Sequence, residues 1–386
     1  MFLEALKKKN AAFIEAAFDL HKEKIILPDT FLLDADAILE NAEKMLRCAD
    51  KFNIEMYFML KQFGRNPYIA KKLSEMGFAG CVCVDFREAL LMIENQVLLG
   101  NVGHLVQTPI GALEAVIAHK PDVMTVYSLE KIKEIDNIAE SLGVKQRLLL
   151  RVVSDDSFQY AAQNGGIRLC DLEKTANHIS KLKNVEITGV CSFPCILFDE
   201  ETSEFAATPN CTALLEAEKL LNKDKRENFQ INMPSATCIE TIPMIKAHGG
   251  THGEPGHGLS GTTPKHAVDF MQPEKPAMLY VSEISHNYMG KAYCYGGGYY
   301  RRGHLRGCLT NHGSEFCNVQ YLDDSAGIDY YLELDRECPV SQAVVMGFRS
   351  QIFATRSEVA VVTGISKGMP CIEGIYSSTG IRLKAN

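Results

Sequence analysis

Met56-Tyr57-Phe58-Met59-Leu60-Lys61-Gln62-Phe63-Gly64-Arg65-Asn66-Pro67 is an apolar run of five residues, then an amine, then a polar turn closed by a proline. A short continuous apolar run is what a strand buried on both faces requires, because parallel sheets are covered by helices on each side. The proline sets the first turn of a helix, predicted over Pro67–Met76. Working outward, the same unit recurs. Strand-like runs are predicted at Met56–Leu60, Gly80–Val84, Asn101–Val106, Val123–Tyr127, Arg147–Val153, Glu186–Ser192, Phe229–Met233 and Gly250–Glu254. Between them lie helical patterns at Phe86–Glu94, Ile110–His119, Ser128–Ser141, Asp171–Leu182, Thr212–Leu221 and Ile239–Lys246. Eight strands alternating with helices predict an α/β fold of the (β/α)8 barrel type, although a doubly wound open sheet shares the alternation.

After about residue 268 the texture changes to short β-rich runs punctuated by Gly, Pro and Asn, among them Leu279–Ser285, Ala343–Gly347 and Val359–Gly364. Upstream, Phe2, Leu6, Phe13, Ala17 and Leu20 recur at helical spacing, and Pro28-Asp29-Thr30-Phe31-Leu32-Leu33-Asp34 reads as the first barrel element. The expected organisation is a helical arm over residues 1–24, a barrel over 25–268 and a smaller β-rich domain over 269–386. A length of 386 residues suits two domains at a prior of roughly 150 residues each.

Composition narrows the function. With 46% apolar and 23% charged residues the chain can bury a core, and a net charge of −8 without a basic stripe argues against a nucleic-acid partner. No apolar run approaches the ~20 residues that cross a bilayer, and Met1 to Lys9 lacks a signal peptide's apolar stretch, so no membrane partner and a cytoplasmic location are expected. Thirteen cysteines, many in strand-like runs, are expected to be mostly buried thiols. Cys81 and Cys83 are expected not to share a metal, on the expectation that strand alternation aims them at opposite faces. His248, His252 and His257 lie within ten residues, but their spacing matches no standard metal site, and no metal is expected.

Lys61 falls where the C-terminal mouth of a barrel strand is expected, the end at which active sites of this fold lie. An amine partly shielded from water loses its proton more easily and can condense with an aldehyde. The plain alternative is a lysine that ends a strand and turns to solvent. The segment Met56 through Lys61, then Ile69-Ala70, Leu73, Gly77-Phe78 and Glu88-Ala89-Leu90, resembles the alanine racemase and ornithine/diaminopimelate decarboxylase barrels, the fold-type III pyridoxal-phosphate enzymes. The likeness continues through Thr125-Val126-Tyr127-Ser128, Gly189-Val190-Cys191-Ser192 and His252 to Gly261.

That resemblance implies pyridoxal 5'-phosphate as cofactor, held by Lys61 as a Schiff base. Gly253-Glu254-Pro255-Gly256-His257-Gly258 is similar to the decarboxylase Glu-Pro-Gly-Arg loop, whose glutamate contacts the pyridine nitrogen; alanine racemases carry an arginine there. Glu254 would keep the ring protonated and a better electron sink. Gly256 and His257 would offer backbone amides to the phosphate, with His257 standing where the decarboxylases have arginine. Ser235 and Thr237, in Asn232-Met233-Pro234-Ser235-Ala236-Thr237, are further phosphate candidates, Thr237 equally a helix cap. Phe193 falls where relatives stack a histidine on the ring, and it reads equally as a core residue.

Tyr295, in Tyr295-Gly296-Gly297-Gly298-Tyr299-Tyr300-Arg301-Arg302, resembles the racemase tyrosine presented across a dimer interface. Cys371, in Gly368-Met369-Pro370-Cys371, is similar to the decarboxylase cysteine delivered from a partner subunit. Either implies a homodimer with shared sites. The expected function is therefore an amino-acid racemase or epimerase acting at the α-carbon. A decarboxylase or lyase, a non-catalytic cofactor-binding protein and a barrel enzyme without this cofactor are the alternatives.

Overall fold

The run that opens the barrel also closes it. In the computed structural model, which describes residues 1–323 and 327–383, Glu55–Met56 and Phe58–Met59 are consecutive pieces of one extended segment. Glu55–Met56 pairs in parallel with His252–Gly253, and Phe58–Met59 pairs in parallel with Cys81–Cys83. Around the ring the order continues through Leu99–Val102, Val123–Val126, Gln146–Val153, Val185–Cys191 and Gln230–Asn232 back to His252–Gly253, every pairing parallel. All eight predicted strands are present in the predicted order. A segment hydrogen-bonded on both sides to the two ends of the series excludes the open-sheet alternative.

The local reasons are those the sequence suggested. Leu99–Val102 and Val123–Val126 are buried at every residue, so their side chains are mostly apolar and the polar Asn101 and Thr125 need buried partners. Asp85 caps Phe86–Glu94 by accepting the Glu88 N–H (3.0 Å), and Ser128 caps Leu129–Leu142 through Lys131 N–H (3.3 Å). Pro209 opens Pro209–Leu221 behind the Thr208 cap. The compact unit built this way comprises residues 43–60 and 67–256.

A second unit gathers residues 1–42, 61–66 and 257–386. Its main sheet runs Glu315–Asn318, Gly307–Thr310, Ala343–Met346, Met278–Tyr288, Thr30–Asp34, Glu358–Thr363, Cys371–Ser377, with Lys291–Tyr295 and Tyr331–Leu334 extending from Met278–Tyr288. Thr30–Asp34, read as a barrel element, is instead a central strand here, antiparallel to Met278–Tyr288 and parallel to Glu358–Thr363. A five-residue apolar run states that a strand is buried and not which sheet buries it.

The helices Phe2–Lys9 and Ala11–Lys22 are integral to this unit. Leu3, Leu6, Phe13, Ile14 and Phe18 share one core with Leu32, Leu279, Val281, Val345 and Val362. One expectation about the thiols is also corrected. Cys81 and Cys83 bring their sulfurs to 4.0 Å, because strand side chains repeat every second residue and positions i and i+2 share a face.

Candidate active site

Glu254 follows His252–Gly253 by one residue and is 3% exposed. Its Oε1 accepts two amide hydrogen bonds, from Asn101 Nδ2 (2.9 Å) and Asn232 Nδ2 (2.7 Å). Asn101 and Asn232 belong to Leu99–Val102 and Gln230–Asn232, and neither is exposed. Thr125 donates to Asn101 Oδ1 (2.7 Å), so the amide oxygen is occupied and the NH2 faces the carboxylate. The backbone N–H of Glu254 donates to Thr237 Oγ1 (3.1 Å). The other carboxylate oxygen lies 3.7 Å from His104 Nε2, whose ring is fully buried. Two amide donors on one oxygen offset part of the cost of burying a carboxylate.

The mouths of neighbouring strands are tied together above it. Phe193 lies two residues past Val185–Cys191, with the His104 ring edge-on at 5.3 Å and the Tyr160 ring at 5.8 Å. The loop after Gln230–Asn232 turns through Ser235 (φ 105°) and Ala236 (φ 50°), conformations that non-glycine residues seldom adopt. Ser235 Oγ donates to Ile196 O (2.7 Å), and Cys195 N–H donates to Pro234 O (3.2 Å), locking this loop to the one that carries Phe193. Glu254, Thr237, Phe193 and Ser235 are thus held by one unit through neighbouring strand ends.

In the second unit, Lys61 opens the short 3-10 turn Lys61–Phe63, the second residue beyond Phe58–Met59. His257 pairs Nδ1 with Thr262 Oγ1 (3.0 Å) and Nε2 with Gln351 Nε2 (3.1 Å). Desolvation, then the positive charges of Arg349 and Lys61, and His266, hold its imidazole well below the ordinary value, so His257 is neutral at pH 7. His252, in the barrel unit, packs on Tyr57 (5.5 Å) and meets Glu55 (3.1 Å). Gly256 is buried, one residue after Pro255, whose carbonyl accepts the Met59 N–H (2.9 Å). Tyr295 ends Lys291–Tyr295, 37% exposed, its ring 5.9 Å from that of Tyr331. Cys371 is exposed and pairs across the sheet with Thr363.

Sequence reasoning missed Asn101, Asn232, His104, Arg349 and Gln351. Two of them left a signal: an asparagine inside an apolar strand, as at 101 and 232, needs a buried partner. Nothing local marks the others.

The residues present fit pyridoxal phosphate. A buried carboxylate with one oxygen saturated by amides can accept from a protonated ring nitrogen, and the Phe193 ring stands two strand mouths away, edge-on to the His104 ring beside that carboxylate. Ser192 Oγ and Asn232 Oδ1 are buried without a hydrogen-bond partner among the described residues. Such atoms are expected where a polar ligand seats.

Comparison with known proteins agrees. Residues 33–264 match the model of the alanine racemase N-terminal domain, and residues 279–372 match that of the YhfX-like C-terminal domain. The chain is 43% identical, over the whole length of both, to the uncharacterized protein YhfX of Escherichia coli strain K12. Among solved structures it is similar to D-threonine aldolase from Filomicrobium marinum (TM-score 0.66, 14% identity, 91% of this chain and 94% of that one). It is also similar to alanine racemase from Clostridium difficile 630 (0.64, 18%, 92% and 99%) and diaminopimelate decarboxylase from M. jannaschii (0.65, 14%, 95% and 92%). These last three share the fold. With the closed parallel barrel, the lysine after its first strand and the family match over most of the barrel together, the chain belongs to the alanine racemase N-terminal domain family of fold-type III pyridoxal-phosphate proteins.

Proposed function

We propose that this protein is a pyridoxal-phosphate-dependent enzyme that exchanges the α-proton of an amino acid, with racemase or epimerase outcome. The observation that carries the cofactor part of this reading is the Glu254 carboxylate, buried and fixed by Asn101 and Asn232, while the racemase outcome is supported by the family match over residues 33–264. The bound cofactor supplies an electron sink for the pair left at the α-carbon, and a protonated ring is the stronger sink. Glu254 would hold that ring proton at the carboxylate oxygen that the two asparagine amides do not occupy. Phe193 would offer a face for stacking, the Thr237 hydroxyl a hydrogen bond to the phosphate, and Ser235, Gly256 and His257 backbone amides, since the Ser235 hydroxyl is spent on Ile196 O and the His257 ring on Thr262 and Gln351.

Lys61 would be the residue that holds the cofactor, and its amine would take or give the α-proton on one face. Tyr295 Oη or Cys371 Sγ of a second copy supplies the proton on the other face, which makes the active form a homodimer working in the cytoplasm. Decarboxylation is the second reading, favoured by a carboxylate at 254 where racemases carry arginine. In that case the Lys61 amine would be the group that supplies the proton to the α-carbon.

Absorption of the purified protein with pyridoxal phosphate, before and after borohydride reduction, tests the reading. A visible band that reduction abolishes, with the pyridoxyl label on Lys61, is expected. Incubation in deuterium oxide should then exchange the α-hydrogen of a substrate amino acid with little carbon dioxide release. Absence of a band overturns the cofactor assignment, and stoichiometric carbon dioxide selects decarboxylation.

A further inference from the structure

Four aromatic rings run in series from the buried carboxylate to the surface of the barrel unit. His104, 3.7 Å from Glu254, meets Phe193 at 5.3 Å; Phe193 meets Tyr160 at 5.8 Å; Tyr160 meets Phe158 at 5.2 Å, edge to face. The first ring is fully buried and the last is 42% exposed. His104 follows Leu99–Val102, Phe193 follows Val185–Cys191, and Phe158 and Tyr160 lie in the loop 154–166 after Gln146–Val153, so three strand mouths converge on one line.

The outer part of this line is held rigidly. Asn210, fully buried at the start of Pro209–Leu221, grips Phe158 by both backbone groups: Phe158 N–H donates to its Oδ1 (2.9 Å), and its Nδ2 donates to Phe158 O (3.0 Å). The same Nδ2 donates to Pro194 O (2.9 Å), beside Phe193. One buried amide therefore fixes the spacing between the ring expected to stack on the cofactor and the rings beyond it. At the far end of the loop, Arg151 donates to Gln163 O (3.0 Å), and Gln159 Oε1 accepts the Gly165 N–H (2.8 Å). The charges that flank the loop, Asp155 and Arg168, are paired with each other at 3.0 Å.

An apolar ring kept partly in water by an ordered backbone forgoes burial that a looser loop would recover. A built aromatic surface continuous with the cofactor carboxylate is suited to cover an apolar group of the ligand. We propose that Phe158 and Tyr160 form the wall that receives the substrate side chain, and that the substrate is an amino acid with an aromatic or large aliphatic side chain. This rests on the proposed function, since it takes Glu254 and Phe193 as the cofactor end of the line.

The test uses α-methyl amino acids, which carry no α-proton, added to the cofactor-loaded full-length protein. Binding is read by calorimetry and by perturbation of the visible band. α-Methylphenylalanine should bind about 10-fold or more tightly than 2-aminoisobutyrate, α-methylaspartate or α-methylornithine, the gain expected from covering an apolar side chain. Phe158→Ala and Tyr160→Ala should bring that ratio toward unity, and Tyr160→Phe, which keeps the ring, should preserve it. If a charged analogue binds most tightly, or if the alanine variants weaken all four analogues equally, the wall is not the specificity surface, even though Lys61 carries the borohydride label. An unlabelled Lys61 overturns the cofactor reading and this inference with it.

Discussion

Asn101 and Asn232 spend their amides on a single oxygen of Glu254, at 2.9 and 2.7 Å, and neither amide reaches solvent. Hydrogen bonds to a buried charge are worth more than neutral ones, and removing a donor leaves part of the desolvation cost uncovered. Asn232→Leu should therefore destabilise the barrel by about 2 kcal/mol, read as a lowered denaturant midpoint. The carboxyl should also become easier to protonate, so the visible band of the loaded protein should change with pH in a range where the wild type is constant. A variant as stable as wild type with an unchanged band would mean that Glu254 does not depend on this clamp. Both asparagines were legible as anomalies, since an amide inside a buried strand requires a partner. The identity of that partner, 153 residues away for Asn101, was not.

Three strands of the second sheet meet at Asp29. It precedes Thr30–Asp34, accepts from Tyr280 Oη (2.8 Å) of Met278–Tyr288 and from Ser357, and its carbonyl accepts the Glu358 N–H (3.1 Å) of Glu358–Thr363. Burial raises its carboxyl from 3.8 to about 6, against the hydrogen bonds from Ser357 and Tyr280 that lower it. Because the folded value lies above the unfolded one, the native state binds more protons between these pH values, and stability falls as pH rises from about 4 to about 6. Asp29→Asn keeps an acceptor for both hydroxyls and removes the charge. It should raise stability at pH 7.5 by about 1–2 kcal/mol, allowing for the partly exposed carboxyl, and flatten the slope between pH 4 and 6. Unfolding at pH 4, 6 and 7.5 checks this, and a variant less stable at pH 7.5 would show the ionised form to be the tie. Gly297 is required on the same spot, for at φ 129° any added Cβ would collide with the Asp29 carboxylate.

At the scale of the molecule, the chain's two ends make one unit. Deleting residues 1–22 would strip Leu3, Leu6, Phe13, Ile14 and Phe18 from a core shared with Leu32, Val281 and Val345, so the truncated protein should lose soluble yield and several degrees of thermal midpoint. A dispensable arm would leave both unchanged. The dimer has its own test: Lys61→Ala and Tyr295→Phe chains, each unable to racemise alone, should recover about a quarter of wild-type racemisation when co-expressed, since half the dimers then hold one intact site. No recovery, with Cys371→Ser restoring it in place of Tyr295→Phe, would assign the second proton to the thiol. The barrel could be read from the chain because its strands are buried on both faces and separated by helices, a pattern that is local and repeats. Lys61 and Glu254 could be read because their neighbours in sequence hold them at strand ends. Tertiary structure alone decided that Thr30–Asp34 pairs across the second sheet, that Asn101, Asn232 and His104 converge on Glu254, and that Asn210 fixes the aromatic line. A side chain's chemistry is written in the sequence, but the partner that satisfies it is set by chain closure over hundreds of residues, where no local period carries information.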